Sequence, residues 1–190
     1  MSFTTALGKE IGNSLKDLGY QRRGTNIWRS SDSGDFAVVH LQTSSSSRRG
    51  INSVFYINCS ICPAPWLAWL DWLHERPRPA GPPDPASGIW RARVLAAAPF
   101  GEYDTWSVAA ENELAAVVPI AEEATRFIVT TVEPLMDRQR LLDTLPAGAE
   151  LRLRLAFCAE QRNEPELHDL YRQLPQGSAF REWAAWYVAR

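Results

Sequence analysis

Two neighbouring stretches constrain this chain more than any other feature. They are Phe36-Ala-Val-Val-His-Leu-Gln-Thr-Ser44 and Asn52-Ser-Val-Phe-Tyr-Ile-Asn-Cys-Ser-Ile61, joined by Ser45-Ser-Ser-Arg-Arg-Gly50. Side chains alternate across a strand. In the second stretch Phe55, Ile57, Cys59 and Ile61 therefore share one face, and Val54, Tyr56, Asn58 and Ser60 the other. In the first, Val39 and Leu41 oppose Val38, His40, Gln42 and Ser44. This is the pattern of a half-buried antiparallel sheet with one dry face, and the Ser- and Gly-containing link suits a hairpin. The expectation is that His40, Gln42, Ser44, Tyr56 and Asn58 gather on the wetter side.

The flanking sequence predicts the remaining elements. Phe3, Leu7, Ile11, Leu15 and Leu18 recur at helical spacing over residues 2–18, with Ser2 able to cap the start and Gly19 placed to end the helix. Tyr20 to Ser31 reads as a short strand pair turning at Gly24-Thr-Asn26. Trp66, Trp69, Leu70 and Leu73 make a short amphipathic helix after Cys62-Pro-Ala-Pro65, read as core or as a lid over the sheet. Five prolines make residues 75–88 an extended, exposed connector. A strand follows over Ile89–Ala97, with Trp90, Ala92, Val94 and Ala96 on one side and Arg91 and Arg93 on the other, and Thr105–Val108 suggests a last short strand.

From Glu111 the periodicity turns helical. Leu114, Val118, Ala121, Thr125, Ile128, Val132 and Leu135 form the expected packing face, with Pro119 placed in the first turn of a helix after a break and Pro134 dividing off residues 135–145. Helices are also expected near 148–162, 164–174 and 178–189, the last docking through Trp183, Trp186 and Tyr187. The fold class is thus α+β in one domain spanning 1–190: an N-terminal helix and an antiparallel sheet of about five strands up to residue 110, then helices packed on one face.

At 190 residues and 45% hydrophobic, the chain can bury a sizeable core. No apolar run reaches the roughly 20 residues of a membrane span, no secretory start is visible, and three cysteines do not make a disulfide framework. A cytoplasmic protein is expected, with no membrane role. Net charge is −2, split unevenly: residues 1–100 carry 11 Lys/Arg against 7 Asp/Glu, and residues 101–190 carry 9 against 15. The basic excess of the first half is smaller than nucleic-acid binders show, so nucleic acid is not the expected partner.

The chemistry-bearing residues argue against catalysis. Cys59-Ser-Ile-Cys62 has the CxxC spacing, but it ends a strand rather than starting a helix, and no further ligand pair exists for zinc. Ser44 and His40 lie four apart on one strand, about 13 Å at the usual rise, too far for a nucleophile and its base. No phosphate-cradling glycine motif is present. Cofactors and metals are therefore expected to be none. What remains is a polar surface of His40, Gln42, Tyr56, Asn58, Arg91 and Arg93, which must be wet, networked or occupied because an unpaired buried polar group costs about 1–3 kcal/mol.

The series Leu18-Gly-Tyr-Gln-Arg-Arg-Gly24, Trp28-Arg29, Leu41-Gln-x-Ser44, Phe55-x-Ile-Asn58, Arg93 and Trp106 resembles bacterial domain-of-unknown-function family 4304 over roughly residues 3–145. The resemblance implies an α+β fold with C-terminal helices and no established activity; small bacterial families of this kind include immunity proteins of toxin systems, as an analogy. The expected function is a non-catalytic binding protein, immunity-like, engaging a partner protein through the polar sheet face. The alternative is an enzyme or small-ligand-binding domain using that face as a pocket. Oligomeric state is left open.

Overall fold

The computed structural model describes residues 2–189. Its centre is the expected hairpin: β3 (Phe36–Thr43) pairs antiparallel with β4 (Asn52–Cys62), with His40 opposite Asn58 and Gln42 opposite Tyr56. Outside β3 lie β2 (Asn26–Ser30) and β1 (Gln21–Arg23). The other edge of β4 is shared end to end. Its second half pairs with β5 (Trp90–Arg93), and its first half with β7 (Thr105–Ala109), which in turn pairs with the two-residue β6 (Gly101–Glu102). The sheet has seven antiparallel strands rather than about five, the excess being short pieces.

The dry face is the one the alternation predicts. Ala37, Val39, Leu41, Phe55, Ile57, Cys59 and Ile61 are all at most 1% exposed. Helix α1 (Phe3–Ser14) covers them with Phe3, Leu7 and Ile11, its first turn capped where the Thr5 amide donates to the Ser2 side chain. It stops earlier than its apolar stripe suggests. A 3₁₀ turn over Lys16–Leu18 follows and ends at Gly19, whose φ of 85° suits glycine, leaving Leu18 39% exposed.

Helix α3 (Glu113–Phe127) packs beside α1 on a face that keeps Ala121 and, beyond the helix, Ile128, Val132 and Leu135 of the expected stripe, but departs from it in the first turns. Leu114 and Val118 are 90% and 53% exposed, whereas Ala116, Ile120, Ala121 and Ala124 are buried. The small side chains Ala116, Ala121 and Ala124 let α3 approach α1 closely around Ile120, and Leu114 and Val118 point outward. Pro119 sits inside α3 rather than at a helix start. The helix then loosens into a π turn (128–132) and a 3₁₀ turn (133–136) before α4 (Arg138–Thr144), so the division at Pro134 is as read.

Helix α5 (Ala147–Gln161) gives Leu153 and Phe157 to the main core and Leu155, Ala156 and Cys158 to a second cluster. That cluster joins α5 to α2 (Ala64–Leu73), α6 (Glu164–Gln173) and α7 (Ala179–Val188), with the Trp69 ring 4.7 Å from Phe180 and 6.0 Å from Trp183. In α2 the residue facing the sheet is Leu67, packed on Val38 and Cys62, while Leu73 of the predicted stripe is 45% exposed.

Arg138 ties these parts together. It donates from Nε to Asp35 Oδ2 at 2.8 Å and from Nη2 to Asp35 Oδ1 at 2.9 Å, pairs with Glu160 of α5, and lies 4.4 Å over the Phe157 ring. Asp35 also accepts from the Ala64 amide at 2.8 Å, fixing the start of α2.

Candidate functional site

The second face of the sheet is divided. At one end Val38 and Cys62, with the completely buried Ser60 beside them, are covered by α2 and the returning chain. At the other end the strand register brings His40, Gln42, Asn58, Arg91 and Arg93 to the floor of an open cleft of about 1090 Å³. Tyr56 is not in its lining. It lies under Arg93, whose guanidinium sits 4.4 Å from the ring centroid. Ser44 is likewise outside, near the end of the hairpin, where its hydroxyl accepts from the Ser46 amide.

One wall is formed by the proline-rich segment, which is more than the exposed connector its composition suggests. The chain from Pro82 to Ala86 folds back over β3 and β4 and lines the cleft, with Pro83 buried. Two contacts anchor it and a third, within the segment, shapes its turn. The Asp84 carboxylate accepts from the Ala86 amide at 2.8 Å, the Trp66 indole donates to the Ser87 carbonyl at 2.9 Å, and Ile89 donates to the Ile61 carbonyl at 3.1 Å. Gly88 is required by the approach, because a Cβ there would stand 2.5 Å from the Ser60 Cβ and 2.9 Å from the Trp90 carbonyl oxygen. The signal in the sequence was the Pro-Asp-Pro-Ala turn followed by Gly88: proline rigidity is compatible with an ordered wall as well as with a spacer.

Most of the floor is already engaged. Asn58 Nδ2 donates to Gln42 Oε1 at 3.0 Å, and Arg93 Nε donates to Asn58 Oδ1 at 3.1 Å. Arg93 also pairs with Asp104, and the guanidinium holds that carboxyl below its ordinary value. His40 Nδ1 lies 2.6 Å from Asn26 Oδ1, an arrangement that places the ring proton on Nδ1 and leaves Nε2 as an acceptor. Burial lowers the His40 pKa, opposed in part by the Asp84 carboxylate. Arg91 is the least committed, with one long contact to the Ala86 carbonyl at 3.5 Å. The groups still able to serve a ligand are thus the Gln42 amide N–H₂, His40 Nε2 and the Arg91 guanidinium.

The cysteines fit no redox role. Cys59 and Cys62 face opposite sides of the sheet, both are buried, and burial pushes both thiols up to about 12. Among the described residues no group of three or more His, Cys, Asp or Glu is placed to hold a metal ion, and no helix is long and apolar enough to cross a membrane.

Fold and site together define an α+β protein whose antiparallel sheet is sealed by helices on one face and carries a hydrogen-bonded polar cleft on the other. Residues 11–138, about two thirds of the chain, match the family described as "Domain of unknown function (DUF4304)", and the chain belongs to that family. The match ends at Arg138, so it contains the whole cleft, whereas Glu160 and helices α5, α6 and α7 lie beyond it. No curated protein and no solved structure matches the chain.

Proposed function

We infer that this chain is a non-catalytic binding protein that takes an extended polar segment of a partner protein into the sheet cleft. The observation that carries the reading is the cleft itself. Its floor is an ordered network of amides, imidazole and guanidinium, open along a cleft of about 1090 Å³ with room for several residues of an extended segment. Charge in the lining balances, with Arg91 and Arg93 set against Asp84 and Asp104, which suits a polar segment better than a strongly anionic one. Chemistry is unsupported by the lining. No hydroxyl side chain stands there beside His40 among the described residues, and the Cys59 thiol belongs to the opposite, core face. The family analogy gives the proposal its form: an immunity-like protein of the bacterial cytoplasm whose partner is a toxin.

The test is affinity recovery of the tagged full chain from its native cell, run in parallel with Arg91→Glu and Gln42→Ala. A stoichiometric partner retained by the natural chain and lost with both variants supports the reading. A partner held equally by Arg91→Glu, or none under several growth conditions, refutes it. The concavity of the site favours one second reading, a small polar ligand. Native mass spectrometry of the purified chain distinguishes it through an added mass that Arg91→Glu removes.

A further inference from the structure

A second concavity lies far along the chain from the cleft and outside the family match, between α6 and α7. Its volume is about 590 Å³, and it is lined by His168, Tyr171, Arg172, Arg181 and Ala185. Three of these five residues are basic, in a half of the chain whose formal balance is −6. Their present partners are weak. Arg172 pairs with Asp169 one turn away on the same helix, with both side chains mostly exposed, an arrangement worth little in water. Arg181 has no carboxylate partner among the described residues; its guanidinium lies 5.4 Å over the Tyr171 ring. His168 stands edge-on to the same ring at 6.4 Å. The Tyr171 ring thus sets the Arg181 guanidinium and the His168 imidazole around it.

We propose that this groove binds a phosphate-type dianion, with Arg181 as its cationic donor, a ring N–H of His168 and the Tyr171 hydroxyl as further donors, and Arg172 recruited from Asp169. Guanidinium groups match the geometry of phosphate oxygens through paired N–H donors. Burial raises the Tyr171 pKa, which keeps its hydroxyl protonated and able to donate at neutral pH. Asp169 opposes the anion, so the site depends on Arg172 staying at the rim. The room left beyond one phosphate group accommodates the organic part of a monoester or a lipid headgroup.

The test is a titration of the ¹⁵N-labelled full chain with inorganic phosphate at pH 7, against sodium chloride of equal ionic strength. Saturable shifts confined to amides 168–172 and 181–185 are expected with phosphate alone. Arg181→Met should weaken the site by about tenfold or more, the usual effect of losing a hydrogen bond to a charged group. His168→Gln, at an exposed position, should weaken it measurably and carries the test if Arg181→Met fails to fold. Sedimentation with phosphatidylcholine vesicles containing phosphatidic acid distinguishes the source: co-sedimentation lost in the variants assigns a lipid headgroup, and saturable shifts without it assign a soluble phosphate. Shifts that match the chloride control, fail to saturate, or persist unchanged in both variants overturn the proposal.

Discussion

Arg138→Met should be the most damaging single conservative change outside the apolar core. The guanidinium grips both oxygens of Asp35, whose side chain is 4% exposed. Methionine keeps most of the aliphatic stem over Phe157 but leaves the Asp35 carboxylate buried with only the Ala64 amide at 2.8 Å and the Ser33 hydroxyl at 3.1 Å. Breaking a buried pair by removing one partner costs about 3–5 kcal/mol. The Glu160 arm adds little, since that carboxylate is 27% exposed and regains water. Against a typical total of about 5–15 kcal/mol this is a large fraction. For a chain of this size it corresponds to a fall in Tm of roughly 6–20 °C. The assay is urea and thermal unfolding followed by tryptophan fluorescence. The double variant Asp35→Asn/Arg138→Met should recover part of the loss, because asparagine retains an oxygen for the Ala64 amide without a buried charge. A cost below about 1 kcal/mol for Arg138→Met, or a double variant worse than the sum of its singles, would refute the argument that desolvation of Asp35 sets the magnitude.

Three further outcomes follow from the geometry. The lowered His40 pKa means the unfolded chain binds a proton more readily than the folded one, so His40 contributes stability above the ordinary histidine value of about 6.5 that is lost as pH falls through the folded value; unfolding at pH 7.5 and 5 should show a smaller acid loss in His40→Gln than in the natural chain, and an equal or larger loss contradicts the assignment. Gly88→Ala should destabilise by about 1–3 kcal/mol through forced backbone movement against Ser60 and Trp90, read as a lower urea midpoint together with altered Trp66 emission, and an unchanged midpoint would show that the wall yields freely. Leu114→Ser should change stability by less than about 0.5 kcal/mol, because Leu114 is 90% exposed; a core-sized loss in the same unfolding assay would mean that this face is covered.

The sheet was legible because its period is two and its burial is nearly complete on one side. A slip of one residue would turn Phe55, Ile57 and Cys59 to water, so sequence and register specify each other. The same logic located five of the six polar residues around one cleft, but it could not separate Tyr56, a support under Arg93, from the groups lining the space. The start of the α3 face departs from its periodicity for a different reason. Leu114 and Val118 carry the hydrophobicity, yet helix packing also rewards small residues that allow close approach. Ala116 and Ala124 therefore join Ala121 and Ile120 at the interface, and a pattern weighted by side-chain size misplaces only the start of the stripe, at Leu114 and Val118.

The proline segment shows why the polar face stays open at one end only. Val38, Ser60 and Cys62 require cover, and α2 with the chain returning at Gly88 supplies it. Continued cover along the strands would place Asn58, Gln42 and Arg93 under apolar atoms, where each unsatisfied group costs about 1–3 kcal/mol. The chain instead leaves the sheet after β5, and Asp104, carried on the β6–β7 turn, returns to neutralise Arg93 at the far rim. The cleft is thus bounded where hydrophobic cover stops being favourable and begins where the side chains satisfy one another. The surface proposed for binding is preorganised, because Asn58 and Arg93 are already held in place by their neighbours. Removing Asn58 should therefore weaken a ligand by loosening Arg93 and Gln42 together, and its effect should be non-additive with that of Gln42→Ala in a double-mutant cycle. Strict additivity would show that the floor acts as separate contacts rather than as one network.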